Sequence, residues 1–239
     1  MGKRLKFEER FIQSKEEMKS YNEKNYTFEE ISNILKKCIC EFIYVTNNNK
    51  IFPSNEVYIY NLAELYQFPH NNYKNKHINK FLTETLLLNY HPFEVLSNDS
   101  LHYIYVVQRY DGMVCVVGRS QFHINAKFNE KVETDEDNNF ISAKIEVEVF
   151  KYKFGDLFQT IVPSSSSGLQ GTQKLIYELL LQSGKDFESI TEEMKNYYSQ
   201  AIVIPVQGGK SMADAMESLL GEYLRDKDIN ILNCDSHLW

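Results

Sequence analysis

The residues whose types and spacing are best suited to chemistry form one glycine-rich turn: Gly208, Gly209, Lys210 and Ser211. The apolar run 201–206 before it predicts a strand, and the apolar spacing from 212 onward predicts a helix. A glycine turn that leads into a helix leaves backbone amides free, and the helix dipole, the lysine and the hydroxyl all favour a bound anion. The motif departs from a P-loop because Ile204 stands where the first glycine is required. Two interpretations stay open: a phosphate site at this turn, or a plain turn in which Ser211 is the helix N-cap.

A second set of residues has the ligand types that zinc accepts in tetrahedral geometry. It combines two closely spaced cysteines with a cysteine and a histidine near the C-terminus: Cys38, Cys40, Cys234 and His237. Nothing in the sequence brings the two pairs together. The first pair also lies in an apolar run, where a free cysteine packs as a small hydrophobic residue. Zinc is therefore the weaker interpretation, and free thiols in a reducing, cytoplasmic compartment are the stronger one.

Catalytic constellations of other kinds are missing from the sequence. No serine lies in a G-x-S-x-G elbow, no H-E-x-x-H motif occurs, and the histidines are dispersed along the chain. We therefore predict no catalytic residue and no cofactor, and expect a protein that is not an enzyme. The glycine-rich turn keeps one alternative open, an enzyme or sensor that binds a phosphate-bearing small molecule.

The elements that would position these residues begin with a mainly helical N-terminal part. Thr27 and Glu30 form a capping box, in which the hydroxyl and the carboxylate satisfy free amides at the start of a helix. The segment before it is charged with a thin apolar stripe, as in a surface helix or a partner-docking helix. The predicted N-terminal helices are 7–24, a helix from residue 28, one capped by Ser54 that runs through Tyr66, and 78–90.

From residue 101 the apolar period approaches two, which predicts a central antiparallel β-meander. Its predicted strands are 101–108, 113–119, 122–129, 141–152 and 157–162. Apolar side chains change faces near Val149 and Phe150, so we expect a β-bulge there. Asp135–Asn139 is predicted as an acidic hairpin tip, because Phe140 stands where a calcium loop would need glycine.

The C-terminal part is predicted as a small α/β-like unit in the order helix, helix, strand, helix, strand. Its expected elements are helix 172–182, a helix that starts at the Ser189-x-x-Glu192 box, strand 201–206, helix 212–224 and strand 229–232. The last two strands would form a right-handed crossover if they are parallel neighbours. The serine-rich stretch 163–168 is the candidate boundary between residues 1–163 and 169–239, which form one single domain if the two parts pack together. The fold class is α+β.

The two halves of the chain differ in net charge, and this difference disfavours some partners. Residues 1–131 carry 17 basic and 15 acidic residues, whereas residues 132–239 carry 9 and 18. The excess of acidic residues disfavours nucleic-acid binding, which depends on lysine and arginine contacts to phosphates.

The choice among similar residues indicates an AT-rich genome. Only five of the 26 Lys+Arg residues are arginine, and Asn, Ile and Tyr are abundant.

These observations favour a soluble, non-catalytic intracellular protein that acts by oligomerisation or by docking a protein partner. We expect a phage or bacterial virion component or a host-directed factor, located in the cytoplasm, in the host cytoplasm or in a virion. No apolar stretch approaches the length of a membrane span, so we expect no membrane partner. A third hypothesis is an acidic mimic of nucleic acid that occupies a basic groove on a host protein.

Overall fold

The structure describes residues 6–52, 55, 57–62, 101–153 and 171–233. Five α-helices lie in these ranges. The structure is a computed structural model. Its helices are α1 (Phe7–Lys24), α2 (Phe28–Thr46), α3 (Gly171–Leu181), α4 (Phe187–Tyr197) and α5 (Gly209–Asp226), with a short 3₁₀ turn at Asn47–Asn49. Together with the strands described below, they confirm the predicted α+β class.

Six strands lie in the same part of the chain: β1 (Tyr58–Asn61), β2 (Leu101–Arg109), β3 (Val114–Thr134), β4 (Phe140–Lys153), β5 (Tyr198–Val206) and β6 (Ile231–Asn233). The main path through the sheet is β1-β5-β2-β3-β4, with every neighbouring pair antiparallel. β6 pairs with the first residues of β3 in parallel. The sheet is therefore mixed.

The C-terminal strands join the sheet in an order that differs from the predicted crossover. β5 lies between β1 and β2, while β6 lies on the far side of β3, so two antiparallel strands separate β5 from β6. The predicted order strand, helix, strand is confirmed for β5, α5 and β6, but β5 and β6 are not neighbours, so the condition for a simple right-handed crossover is not met. Strands from both sides of the predicted boundary share one sheet, whereas 163–168 itself lies outside the described residues, as do 78–90 and 157–162.

The core is built around the central strands β2 and β5. Residues 102–109 and 201–206 are buried without the alternation of a half-exposed strand, because the sheet is covered on both faces. α5 packs against β2, β3 and β5 and also contacts α2, so these two helices share one side of the sheet. On β3, a Cβ at Gly118 would lie 2.6 Å from the ring of Tyr105, which explains why no side chain is present there.

The N-terminal predictions are confirmed for α1 and α2 and wrong for the third helix. The Thr27 hydroxyl accepts from the Glu30 amide at 3.2 Å, and the Thr27 amide donates to the Glu30 carboxylate at 2.9 Å. In place of a helix from Ser54 to Tyr66, the chain forms β1, with Tyr58 opposite Val203 of β5. Aromatic and β-branched residues there pair with a strand more than 130 residues away, and this long-range pairing overrides the local helix signal.

The hairpin predictions are confirmed with one change. The two segments predicted as 113–119 and 122–129 are a single strand, β3, whose first half pairs with β2 and whose second half pairs with β4. Asn125 pairs with Lys151 and Ala126 pairs with Val149, so Phe150 is the extra residue of a bulge at the expected position.

Helices α4 and α5 start earlier than predicted, at Phe187 and Gly209. α4 begins at Phe187, and its N-cap is Asp186, whose carboxylate accepts from the Ser189 amide at 2.8 Å. Ser189 is therefore the third helical residue and not the cap. α3 agrees with its prediction, with Gly184 in the left-handed region at the end of its last turn.

We expect alanine at Gly112 to destabilise the protein far more than alanine at Gly184. Both glycines have positive φ, +98° and +80°, so both variants carry left-handed strain of about 1 kcal/mol. A Cβ at Gly112 would also lie 2.3 Å from Cγ2 of Ile31, whereas a Cβ at Gly184 meets nothing within 4 Å. Urea unfolding should give a loss above about 3 kcal/mol for Gly112→Ala. Equal losses for the two variants would contradict the packing of α2 on this turn.

Candidate functional site

The glycine-rich turn connects β5 directly to α5, as the sequence indicates. Gly208 is the N-cap with φ of 91°, Gly209 has φ of 76°, and no side chain caps the helix. Ser211 is the third residue of α5, so the prediction that Ser211 is the N-cap is wrong. The reason is conformational, because two glycines in succession let the chain turn into the helix three residues earlier. Lys210 and Ser211 are both exposed.

The charges around this turn are already paired in part. Asp214, in the first turns of α5, forms an ion pair with Arg119 of β3, and Glu217 lies 4.0 Å from the same guanidinium. Arg119 therefore neutralises protein carboxylates. Anion binding by Gly208, Gly209, Lys210 and Ser211 stays a prediction.

The two N-terminal cysteines lie two residues apart on α2, where side chains project about 200° from one another. Cys38 is buried, and burial raises the pKa of its thiol above the ordinary value. Cys40 is half-buried. Cys234 and His237 lie outside the described residues, so the predicted zinc set stays a prediction. Within the described ranges, no group of three or more metal-binding side chains is present.

Arg109, at the end of β2, is a buried arginine that forms an ion pair with Asp111. Arg109 is 4% exposed, and its guanidinium makes two hydrogen bonds to the Asp111 carboxylate, at 2.8 and 2.6 Å. Its third nitrogen lies 3.3 Å from the Tyr197 hydroxyl. Burial by itself lowers the pKa of Arg109, but the hydrogen-bonded carboxylate outweighs it and holds the pKa above the ordinary value. Arg109 is buried while the Asp111 side chain is 30% exposed, and the two hydrogen bonds between them give the pair a structural role.

The β3–β4 hairpin ends in a turn organised by one carboxylate. The backbone amides of Asp137 and Asn139 donate to Asp135 at 2.9 and 2.7 Å, and the Asn139 side chain donates at 2.9 Å. These hydrogen bonds lower the pKa of Asp135. The predicted acidic hairpin tip is confirmed, and the calcium-loop pattern has a structural explanation.

Large apolar side chains are exposed beside this turn. Phe140 is 67% exposed, Ile141 60% and Val132 53%. Val132 pairs with Ala143 and Thr134 pairs with Phe140, so the register places Val132 and Phe140 on the same face of the ribbon. A second bulge at Ile141 places an extra apolar residue beside them. We call residues 132–142 the hairpin tip.

The hairpin tip carries charges of one sign. Its eleven residues contain four carboxylates, Glu133, Asp135, Glu136 and Asp137, and no basic residue. β4 packs mainly against β3 among the described elements. The tip thus combines apolar contact area with negative charge.

A groove lies between α1 and the end of α3. It has a volume of about 630 Å³ and is lined on α1 by Lys15, Met18 and Lys19, and on α3 by Leu179. The Lys15 ammonium donates to Gln182 across it at 2.9 Å. A second cavity of about 350 Å³ lies beside Tyr44 and three asparagines, Asn47, Asn48 and Asn55. Neither of these two cavities includes the glycine-rich turn.

Sequence reasoning missed the exposed side chains of the hairpin tip. The signal was present, because the apolar residues Phe140 and Ile141 follow an acidic turn directly. It was not recognised because the same residues fit the start of a strand, and only the register and the bulge decide which face each residue takes. The bidentate geometry of Arg109 with Asp111 could likewise not be obtained from their spacing.

Comparison of the chain with protein-family models, with curated proteins and with solved structures gave no match. Among the described residues, no helix is both long enough and apolar enough to cross a membrane. The class of protein defined by the structure is therefore α+β with an exposed, acidic and apolar hairpin tip.

We expect Ser211→Ala to change the free energy of unfolding by less than about 0.5 kcal/mol, because this exposed side chain does not cap α5. Gly208→Ala should cost about 1–2 kcal/mol, since its φ of 91° is strained for alanine and the new Cβ would lie 3.1 Å from Cβ of Met212. Thermal unfolding of both variants without added anions is the measurement. A larger loss for Ser211→Ala would restore the N-cap interpretation.

Asp111→Asn should destabilise the protein by about 3 kcal/mol or more, because it leaves the buried Arg109 charge without its carboxylate. The matched control is Glu23→Gln, which removes the carboxylate of the exposed Lys19–Glu23 pair and should cost less than about 0.5 kcal/mol. Both values come from urea unfolding at neutral pH. Similar small losses in both variants would show that Arg109 reaches solvent or another partner.

Proposed function

We propose that this protein is a non-catalytic binding protein that docks to a protein surface through its hairpin tip. The observation that carries the proposal is the exposure of Val132, Phe140 and Ile141 beside the acidic turn. Exposed apolar clusters rimmed by polar residues are typical of protein interaction sites. The partner is a protein, or a further copy of this chain, that offers apolar contacts together with lysine or arginine.

The charge of the tip supports a basic partner. Four carboxylates without a basic residue attract a basic surface, and they repel phosphate backbones. The apolar side chains favour docking over mimicry of nucleic acid, because a mimic needs carboxylates and gains nothing from an exposed phenyl ring. Desolvation of Phe140 supplies affinity, and the carboxylates supply orientation and speed of association.

The turn geometry supports a preformed contact. Asp135 holds the turn through three hydrogen bonds, two of them to backbone amides. A tip that is ordered before it binds loses less conformational entropy on docking. Glu136 and Asp137 form no ion pair with any residue that the structure describes, so both carboxylates are available to a partner.

The proposed setting is the interior of a cell, with the protein as a phage or bacterial virion component or a host-directed factor. Three cysteines in the described ranges, Cys38, Cys40 and Cys115, are free, which suits a reducing compartment. Cys115 is buried, and burial raises the pKa of its thiol. The thiol therefore stays protonated and packs as a small apolar side chain. Docking through a small hairpin tip suits assembly factors, whose contacts form and break.

A synthetic amphipathic peptide of lysine and leucine tests the proposal. We expect the wild-type protein to bind it in fluorescence anisotropy, and Phe140→Ser to weaken binding about tenfold or more, as for a central apolar contact. Glu136→Gln with Asp137→Gln should weaken binding and reduce its dependence on salt, because exposed charges are screened by ions. A peptide with glutamate in place of lysine should not bind.

Tyr44→Ser is the matched control, since Tyr44 is an exposed aromatic residue on α2, outside the tip. It should leave peptide affinity unchanged. If Tyr44→Ser and Phe140→Ser weaken binding equally, or if the wild-type protein does not distinguish the two peptides, the proposal is wrong.

A further inference from the structure

We propose that the hairpin tip of one chain docks in the groove between α1 and α3 of a second copy, so that the protein assembles head to tail. This inference rests on the proposed function, for which it names the partner. Its basis is the complementarity of two separate surfaces of the same chain. One is acidic and apolar, and the other is lined by lysines over an apolar floor.

The groove has basic side chains, which the hairpin tip lacks. Met18 and Leu179 form apolar parts of its lining, and Lys15 and Lys19 contribute positive charge. Glu23 is the one acidic residue in the lining, and its pairing with Lys19 is loose, at 4.0 Å between two well-exposed side chains. Such a pair contributes little, so a carboxylate from another molecule replaces it at small cost.

Lys15, one of the two lysines in the lining, has a neutral hydrogen-bond partner. Lys15 donates to the Gln182 side-chain oxygen at 2.9 Å. The Gln182 oxygen is neutral and leaves the charge of Lys15 without a counter-charge, so a tip carboxylate such as Glu136 or Asp137 adds a charge–charge attraction that Gln182 lacks. The groove is open to solvent, and its volume of about 630 Å³ leaves room for the Phe140 ring.

The tip does not occupy the groove of its own chain, because Phe140 is 67% exposed. The β3–β4 pairing runs from His123 to Thr134, which spans roughly 35 Å at about 3.3 Å per residue. Two different surfaces meet in the contact, so the interface is heterologous. Such an interface leaves a free tip and a free groove at the two ends and therefore produces rings or filaments.

The contact is small, since one hairpin tip enters one groove. We therefore expect weak association that depends on concentration and on salt. Sedimentation at low salt should show a single species near 28.1 kDa in dilute solution and larger species as the concentration rises. Raising the ionic strength should move the distribution back towards the monomer.

Charge reversal tests the specific pairing. The tip variant Glu136→Lys with Asp137→Lys and the groove variant Lys15→Glu with Lys19→Glu should each weaken self-association about tenfold or more. An equal mixture of the two variants should associate again, because the reversed tip now fits the reversed groove and the two natural surfaces also meet. The control, Glu8→Lys with Glu29→Lys, replaces two exposed helix carboxylates by lysine, which is the same change in net charge as in the tip variant, and should leave association unchanged.

Circular dichroism confirms that each variant is folded before the comparison. A wild-type protein that stays monomeric at every concentration, or a mixture of the two variants that does not associate, overturns the self-docking inference. If the wild type is monomeric but binds the lysine–leucine peptide through Phe140, only the identity of the partner is wrong. If tip substitutions alter neither peptide binding nor self-association, the proposed function fails with it.

Discussion

An ion pair between the buried Arg109 and Asp111 holds together the end of the sheet at which three helices meet. Burying an arginine costs several kcal/mol unless its charge and its donors are satisfied, and here two hydrogen bonds to one carboxylate meet that need. Around the pair, Tyr21 of α1 donates to the Asp111 carbonyl at 2.9 Å, and the Tyr110 amide donates to the carbonyl of Tyr197 in α4 at 3.0 Å. Burial raises the pKa of Tyr21 to about 12, so this donor keeps its proton at neutral pH. The β2–β3 turn is thereby connected to both helices, and Gly112 brings α2 into direct contact with it.

The same strand that starts at this anchored turn ends at the exposed hairpin tip. β3 spans Val114–Thr134, and it is paired on both sides only over its first residues, where β2 and β6 flank it. Beyond Phe122 its described partner is β4 alone. An isolated two-stranded ribbon is marginally stable, so the rigid attachment of β3 in the core supports the tip. The exposed side chains of Val132 and Phe140 thus lie at the opposite end of the β3–β4 ribbon from the Arg109–Asp111 ion pair.

Local signals in the sequence predicted the elements whose stability is local. The Thr27–Glu30 box marks α2 because cap and carboxylate act within one helical turn. The bulge at Phe150 was visible because a change of face shows directly in the alternation of apolar residues. Caps were misplaced at Ser189 and Ser211, since several residues near a helix start can serve as the cap, and backbone geometry chooses among them.

The sequence by itself determined the α+β class, the first two helices, the acidic hairpin turn and the absence of a known catalytic motif, because each depends on residues that are close together in the chain. Only the tertiary structure decided that 58–61 is a strand, that β5 lies between β1 and β2, and that Phe140 and Val132 share an exposed face. These features depend on pairing between distant segments, whose free energy comes from burial and register that no short window of sequence contains. The candidate docking surface belongs to this second group, since exposure is a property of the folded chain.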